Sequence, residues 1–472
     1  MSNKVVLSLD IGTSNLCALA LSCDSLQPVA ICSKKNDTEI ANLAAGYHEQ
    51  DPLRIRNLCL DLIQTLLSEN NVEENEVVGI GITGQMHGVL LVNSDLQPQS
   101  NLITWRDRRT LAGDKPGSIN ETGRALDKTV HERTGCHLHA GYGGATLQWL
   151  EKNGRLPEGV VALTIADYIA GCLTGVVATE ATHAASWGIF NIQKGRWDSE
   201  AVDKLGIPQK VLPAVNSTAK TLGKILPAIA KQLGLGSGVQ ICSPVGDNQA
   251  SIIGAAGFAD DAMVINLGTG GQISILQNEY KFVETFETRP MPFGGFILVG
   301  ASLCGGWSYA CLQKFIQATV REFAGTELSD EEVYSRMNAI AAETAKGASG
   351  ITVDTRFSGT RLEPGLRGSI SGIGVDNFTV DNLARGFVEG MIRELADMAS
   401  SAEIKGLTRI IASGNAVRRN PVVLDIIKSI FDLPCYVSTN KEVAAHGAAY
   451  SAAIGLGLVS KDDIYPDSEK GK

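Results

Sequence analysis

Asp247 lies in the run Pro244-Val245-Gly246-Asp247-Asn248-Gln249-Ala250-Ser251, where an apolar stretch from Val239 meets a glycine and then a series of small residues. That order predicts a strand, a tight turn and a helix whose first turn carries the carboxylate. Such an aspartate serves most simply as a helix cap. At the mouth of a cleft it would instead accept the proton of an attacking hydroxyl while a phosphoryl group is transferred. Two other segments suit the phosphate side of that chemistry. One reads Val6-Leu7-Ser8-Leu9-Asp10-Ile11-Gly12-Thr13-Ser14 and the other Val264-Ile265-Asn266-Leu267-Gly268-Thr269-Gly270-Gly271. Each is an apolar strand ending in a Gly-Thr turn. Such a turn gathers backbone N–H groups and a hydroxyl at one point, and glycine lets an anion approach closely. Gly12, Thr13, Ser14, Gly268 and Thr269 are therefore phosphate-cradling candidates. Asp10, at the end of the first strand, is placed to hold Mg²⁺ through water, because magnesium keeps much of its hydration shell.

A third glycine turn, Ser413-Gly414-Asn415-Ala416, follows the strand-like Ile410-Ile411-Ala412 and precedes a helix that Pro421 starts. Its backbone suits an adenine or a ribose. In Thr83-Gly84-Gln85-Met86-His87-Gly88 an apolar strand ends in a polar cluster bracketed by glycines, and in Thr104-Trp105-Arg106-Asp107-Arg108-Arg109 an aromatic sits beside both signs of charge. Polyols need that mixture: a ring face for their C–H side, and amide, imidazole and carboxylate groups for their hydroxyls. Arg108 and Arg109 read as a solvated face.

These segments must be positioned by larger elements. Apolar runs of strand length, such as Val77-Val78-Gly79-Ile80-Gly81-Ile82, alternate with amphipathic stretches, giving an α/β class. Residues 53–68 read as one helix, with Leu58, Leu62 and Leu66 four apart, and residues 330–344 as another with an acidic opening. The two strand-and-turn segments echo each other from opposite halves of the chain, which predicts two related lobes with a boundary near residues 254–260. No Pro/Ser-rich linker marks that junction, so the lobes should abut with the cleft between them. At 472 residues two domains are the default. The net charge of −10, without a basic run, argues against nucleic acid. The absence of a leader-like start or a long apolar span points to a cytoplasmic protein that does not enter membranes. Ten cysteines without a Cys-x-x-Cys pair read as reduced thiols. The polar tail after Val459 reads as a frayed terminus.

Together these segments resemble the FGGY carbohydrate kinases, within the actin, hexokinase and heat-shock-chaperone superfamily of two-lobed ATPases. The resemblance covers nearly the whole chain in the expected order. It includes two signature regions, residues 141–153 with Trp149, and Gly368-Ser369-Ile370-Ser371-Gly372-Ile373 followed by residues 382–389. Gln85-Met86-His87-Gly88 looks like the ketose-phosphorylating branch of the family and unlike the glycerol-phosphorylating branch, whose cluster bears Arg and Glu. The chain departs from the family at Thr146, where many members carry Lys, and at Ser413-Gly414-Asn415, where many carry a glycine run.

The resemblance implies ribonuclease H-like lobes at 1–254, for sugar and catalytic base, and 255–472, for nucleotide. ATP and Mg²⁺ would lie in the cleft. Asp247 would be the base; Gln85, Met86, His87, Trp105, Asp107 and Asn248 would contact the sugar; Gly306, Gly414 and Asn415 would approach the nucleoside. The partners would be a small sugar and ATP, with the protein a monomer or a homodimer. A reading from another class, a silent nucleotide-binding actin-like protein, predicts loss of Asp10 or Asp247, and both are present.

Overall fold

The computed structural model describes residues 4–464 apart from 70–71, 112–115, 217–219, 269, 362, 364 and 403. Val5–Ile11 buries nearly every side chain, as a strand covered on both faces does. It pairs antiparallel with Asn15–Ser22 across the Gly12 turn and parallel with Val77–Gly84. The sheet has seven strands. Pro28–Lys35 extends one side, Gln240–Cys242 and Thr221–Lys224 extend the other, and the short Val245–Gly246 also pairs with Val77–Gly84. The second sheet, of six strands, repeats this plan. Ala262–Leu267 pairs antiparallel with Gly271–Gln277 and parallel with Arg409–Ser413; Phe296–Ser302, Glu287–Pro290 and Cys435–Val437 complete it. The echo in the sequence is thus a repeated ribonuclease H-like topology, and the α/β expectation holds. Asn266 stands in the second hairpin where Asp10 stands in the first.

Helices cover both sheets. Pro52–Glu69 lays Ile55, Cys59, Leu62 and Leu66 against the first sheet at helical spacing. Asp330–Glu343 starts at a reciprocal capping pair between Ser329 and Glu332. Two helices meet at the junction of the lobes, Asp247–Ala256 and Val443–Gly455. They approach so closely that a Cβ on Gly447 would fall inside the Ala250 carbonyl, and one on Gly254 inside the Val443 carbonyl. Val443–Gly455 also lies on the first sheet, where Gly81 makes room for Ala448 and Ala452, and Ser8 Oγ donates to the Ala445 carbonyl at 2.8 Å. One apolar cluster therefore contains Leu19 and Leu21 from the first sheet, Val264 and Val299 from the second, and Ile252, Ile253, Ala445 and Ala449 from the helices. Full burial of each large aliphatic side chain there contributes roughly 1.5–3 kcal/mol. The lobes abut, as the missing linker predicted.

All ten cysteines are free thiols. Among the described residues no helix is long and apolar enough to cross a membrane. Ile464 is buried in the junction cluster, so the tail is packed as far as that residue; the rest of the tail expected to fray, 465–472, lies outside the described residues.

Candidate active site

Val77–Gly84 is flanked by the two strands that lead into the acidic candidates. Asp10 is level with Thr83, and Gly246, the residue before Asp247, is level with Gly84. All three strands run parallel, so both aspartates emerge at the same carboxyl end of the sheet, the usual ligand side of such sheets. With strands about 4.8 Å apart, their backbones are separated by roughly 10 Å.

Asp247 opens the helix Asp247–Ala256, as predicted, and is half-buried. The Gly246 amide before it donates to Thr182 Oγ1 at 2.8 Å, and Thr182 in turn bonds the buried Glu180 carboxylate. Burial pushes the Asp247 carboxyl up to about 6, against the pull of the Arg289 guanidinium. Asp10, also half-buried, is pushed up to about 7 by burial and then by the negative charges of Asp247 and Glu442. Glu442 immediately precedes the junction helix, so the field at Asp10 comes from both lobes. A carboxylate lacking compensation beside two others suits a cation. Among the described residues no group of three or more His, Cys, Asp or Glu could hold a metal ion.

The sugar candidates divide. His87 adopts a left-handed backbone (φ 71°), its amide donates to Ser186 Oγ at 3.0 Å, and its ring stacks on Tyr142 with centroids 4.1 Å apart. Burial, and then the charge of Arg289, lower its pKa to about 3, so the ring is neutral. Nδ1 lies 2.6 Å from the Ser186 carbonyl, which can only accept, so Nδ1 carries the proton and Nε2 is left as an acceptor. Met86 Sδ and Asn248 Oδ1 converge on one atom, Arg289 Nη1, at 3.9 and 3.3 Å. Trp105, 40% exposed, donates through Nε1 to Thr13 Oγ1 at 2.8 Å, and so stands beside the first phosphate turn.

Three expectations need correction. Gln85 is buried and braces that turn: its Oε1 accepts from Thr13 Oγ1 at 3.1 Å, and its Nε2 donates to Gln50, whose own amide reaches the Thr13 carbonyl at 2.9 Å. Asp107 is buried with its oxygens taken by protein donors. Oδ1 accepts from Arg109 N and Nε at 2.9 and 2.8 Å, and Oδ2 from His48 N and Arg109 Nη2 at 2.8 and 2.9 Å, which leaves no capacity for a sugar hydroxyl. Arg109 is likewise no solvated residue; it is buried against the Tyr47 and Trp149 rings and also pairs with Glu49.

Among the residues expected to face the nucleotide, the Gly306 amide donates to the Gly268 carbonyl at 3.0 Å. Gly414 has a positive φ of 96° and packs so tightly on the Leu267 carbonyl that no side chain fits. Gly268 itself is open. Thr269 and the side chain of Asn415 lie outside the described residues. No hydrogen bond joins the Gly12–Ser14 turn to the Gly268 turn among the described residues.

Sequence reasoning missed a buried ionic cluster. Glu287 Oε2 accepts from Arg289 Nη2 and Nε at 2.6 and 3.1 Å, while Oε1 bonds Arg361 and the Tyr142 hydroxyl. Burial opposes ionisation of Glu287, but Arg361 and Arg289 outweigh it and hold the carboxyl well below its ordinary range. The available signal was Glu-x-Arg in a short strand, which puts both charges on one face.

Two ribonuclease H-like sheets, with Asp10 and Asp247 at the carboxyl end of the first and a glycine turn closing the leading hairpin of each, are the plan of the actin and hexokinase class of phosphotransferases. The sequence matches the N-terminal domain of the FGGY family of carbohydrate kinases over residues 5–254 and its C-terminal domain over residues 263–456. The chain belongs to that family, and it is an enzyme that phosphorylates a sugar with ATP. A sedoheptulokinase from Mus musculus is 28% identical, over 95% of this chain and 97% of the relative. A xylulose kinase and a gluconate kinase from Lactobacillus acidophilus, both 24% identical, superpose with TM-scores of 0.86 over 98% of this chain and 91% and 92% of theirs.

Proposed function

We propose that the protein transfers the γ-phosphoryl group of ATP to a ketose, foremost sedoheptulose, giving sedoheptulose 7-phosphate and ADP. The observation that carries the reading is the half-buried Asp247 at a helix start, beside Asn248, Met86 and the neutral His87. The segments 103–107, 142–146 and 183–191 resemble those of sedoheptulokinases and add support, as does the murine relative. The similarity in sequence to xylulose kinases makes xylulose the competing substrate, with ribulose next.

In this reading residues 1–254 bind the sugar and 255–472 the nucleotide. Asp247 orients the terminal hydroxyl and takes its proton late in transfer; a free aspartate, of pKa about 3.9, would be a weak base for an alcohol earlier. The new O–P bond forms as the bond from Pγ to the ADP oxygen breaks. Gly12, Thr13, Ser14, Gly268 and Thr269 cradle phosphates; Gly306, Gly414 and Asn415 face the nucleoside. Asp10 would hold Mg²⁺ through water, and the ion would supply charge neutralisation at the phosphates. Met86, His87, Trp105 and Asn248 contact the sugar. Closure excludes water that would otherwise take the phosphoryl group. The enzyme acts in the cytoplasm as a monomer or a homodimer.

ADP release should be followed with ketoses of five, six and seven carbons and with gluconate. The highest kcat/KM is expected with sedoheptulose; a higher value with xylulose or gluconate reassigns the substrate. Turnover should vanish with a chelator and return with magnesium. Both carboxyls act ionised, Asp247 as acceptor and Asp10 toward the metal, so kcat/KM should level off only above pH 7 and fall at least about tenfold per unit below about pH 6. A profile flat down to pH 5 would remove Asp247 as the base.

A further inference from the structure

We propose that Arg289 is the group with which the second sheet's lobe reads the sugar: its Nη1 donates to a sugar hydroxyl beside Asp247 and Asn248, so productive binding requires both lobes. This rests on the placement of the sugar proposed above.

Arg289 belongs to Glu287–Pro290, the edge strand of the second sheet, yet its side chain reaches residues of the first lobe. The strand is pinned there by its own backbone, since the Thr288 amide donates to the Gly135 carbonyl at 2.8 Å. Strand alternation then turns Glu287 and Arg289 together toward the site. Arg289 is 6% exposed, and its guanidinium cannot swing because Glu287 engages Nε and Nη2 while being held by Arg361 and Tyr142. Nη1 is served differently. One of its hydrogens has only the long 3.3 Å contact to Asn248 Oδ1, and the other faces the Met86 thioether at 3.9 Å, a weak acceptor. Buried donors normally find a full partner. Two candidate sugar contacts, Met86 and Asn248, converge on this one donor through its two longest hydrogen bonds, and a sugar oxygen that replaces the thioether would give it a stronger acceptor. With Glu287 and Asp247 ionised, the guanidiniums of Arg289 and Arg361 are balanced charge for charge, which favours an uncharged polyol over an acid.

The test uses the full-length enzyme, the best substrate of the panel and its monodeoxy analogues. Arg289→Met should raise the sugar KM by about 10- to 100-fold, the worth of one hydrogen bond from a charged donor, and leave the ATP KM within about twofold. Arg289→Lys should recover part of the loss. The distinguishing readout is coupling: one deoxy analogue should be penalised about 10- to 100-fold by the native enzyme but hardly at all by the methionine variant. A purely structural role would leave every deoxy penalty unchanged. If the methionine variant is insoluble, the lysine variant carries the same deoxy comparison. A folded variant with native sugar KM, or deoxy penalties that are additive at every position, overturns the proposal. Native turnover in Asp247→Asn would sink the base assignment while leaving the coupling at Arg289 to be read on its own.

Discussion

Replacing Asp247 by Asn is expected to cut kcat for sugar phosphorylation by about 10²–10⁴, the usual contribution of a positioned base, while ATP binding measured by calorimetry stays native. Asparagine keeps the shape and removes the proton acceptor. The same change should not cost stability, and the sign can be worked out. Burial raises the folded-state pKa of Asp247 to about 6, above the ordinary value of 3.8. A carboxyl so raised favours the folded state when protonated, and that contribution is lost as pH rises from about 4 to 6. At pH 8 the ionised group is therefore a burden on the fold. The Asp247→Asn protein should melt at or above the native temperature there. Near-native turnover, or a variant that cannot fold, would contradict the role given to this residue.

The second large effect lies away from the chemistry. Gly447→Val should destabilise the protein by about 3 kcal/mol or more, read as a lower urea midpoint by tryptophan fluorescence, because the added side chain has no space against Ala250. The two junction helices would have to separate, and the apolar cluster shared by both sheets would open with them. Gly123 is the matching control. It lies in the helix Ile119–Ala125 at an ordinary φ with nothing near its missing Cβ, so Gly123→Ala should stabilise by about 0.5–1 kcal/mol. Equal midpoints for the two variants would show that the helices do not meet as described.

Local signals told the most in the sequence. The strand-and-turn echo became a repeated topology because hairpins of neighbouring strands are encoded in adjacent residues. The helices expected at 53–68 and 330–344 appear as Pro52–Glu69 and Asp330–Glu343, and Asp247 stands at its predicted helix start. Partnering between distant segments was opaque. Trp-Arg-Asp-Arg-Arg looks like a ligand surface by composition, yet Asp107 is consumed by Arg109 and the His48 amide, and nothing local distinguishes a carboxylate that binds a neighbour from one that binds a sugar. Gln85 misled in the same way, since its partner Gln50 is remote in sequence. Glu287 and Arg289 reach the first lobe because an edge strand of the second sheet leans on it, and Arg361 joins Glu287 from a loop 74 residues further on. That is a property of topology, and no single window of residues carries it.

The helix Val443–Gly455 has a meaning for synthesis. Ser8 is made long before Ala445, and its hydroxyl waits for that residue's carbonyl. Until that late segment leaves the ribosome, the face of the first sheet around Gly81 and the flank of Ile252 and Ile253 have no cover. The first half of the chain therefore cannot finish folding while the second is being translated, and a nascent chain stalled before residue 443 would present sticky surface to chaperones.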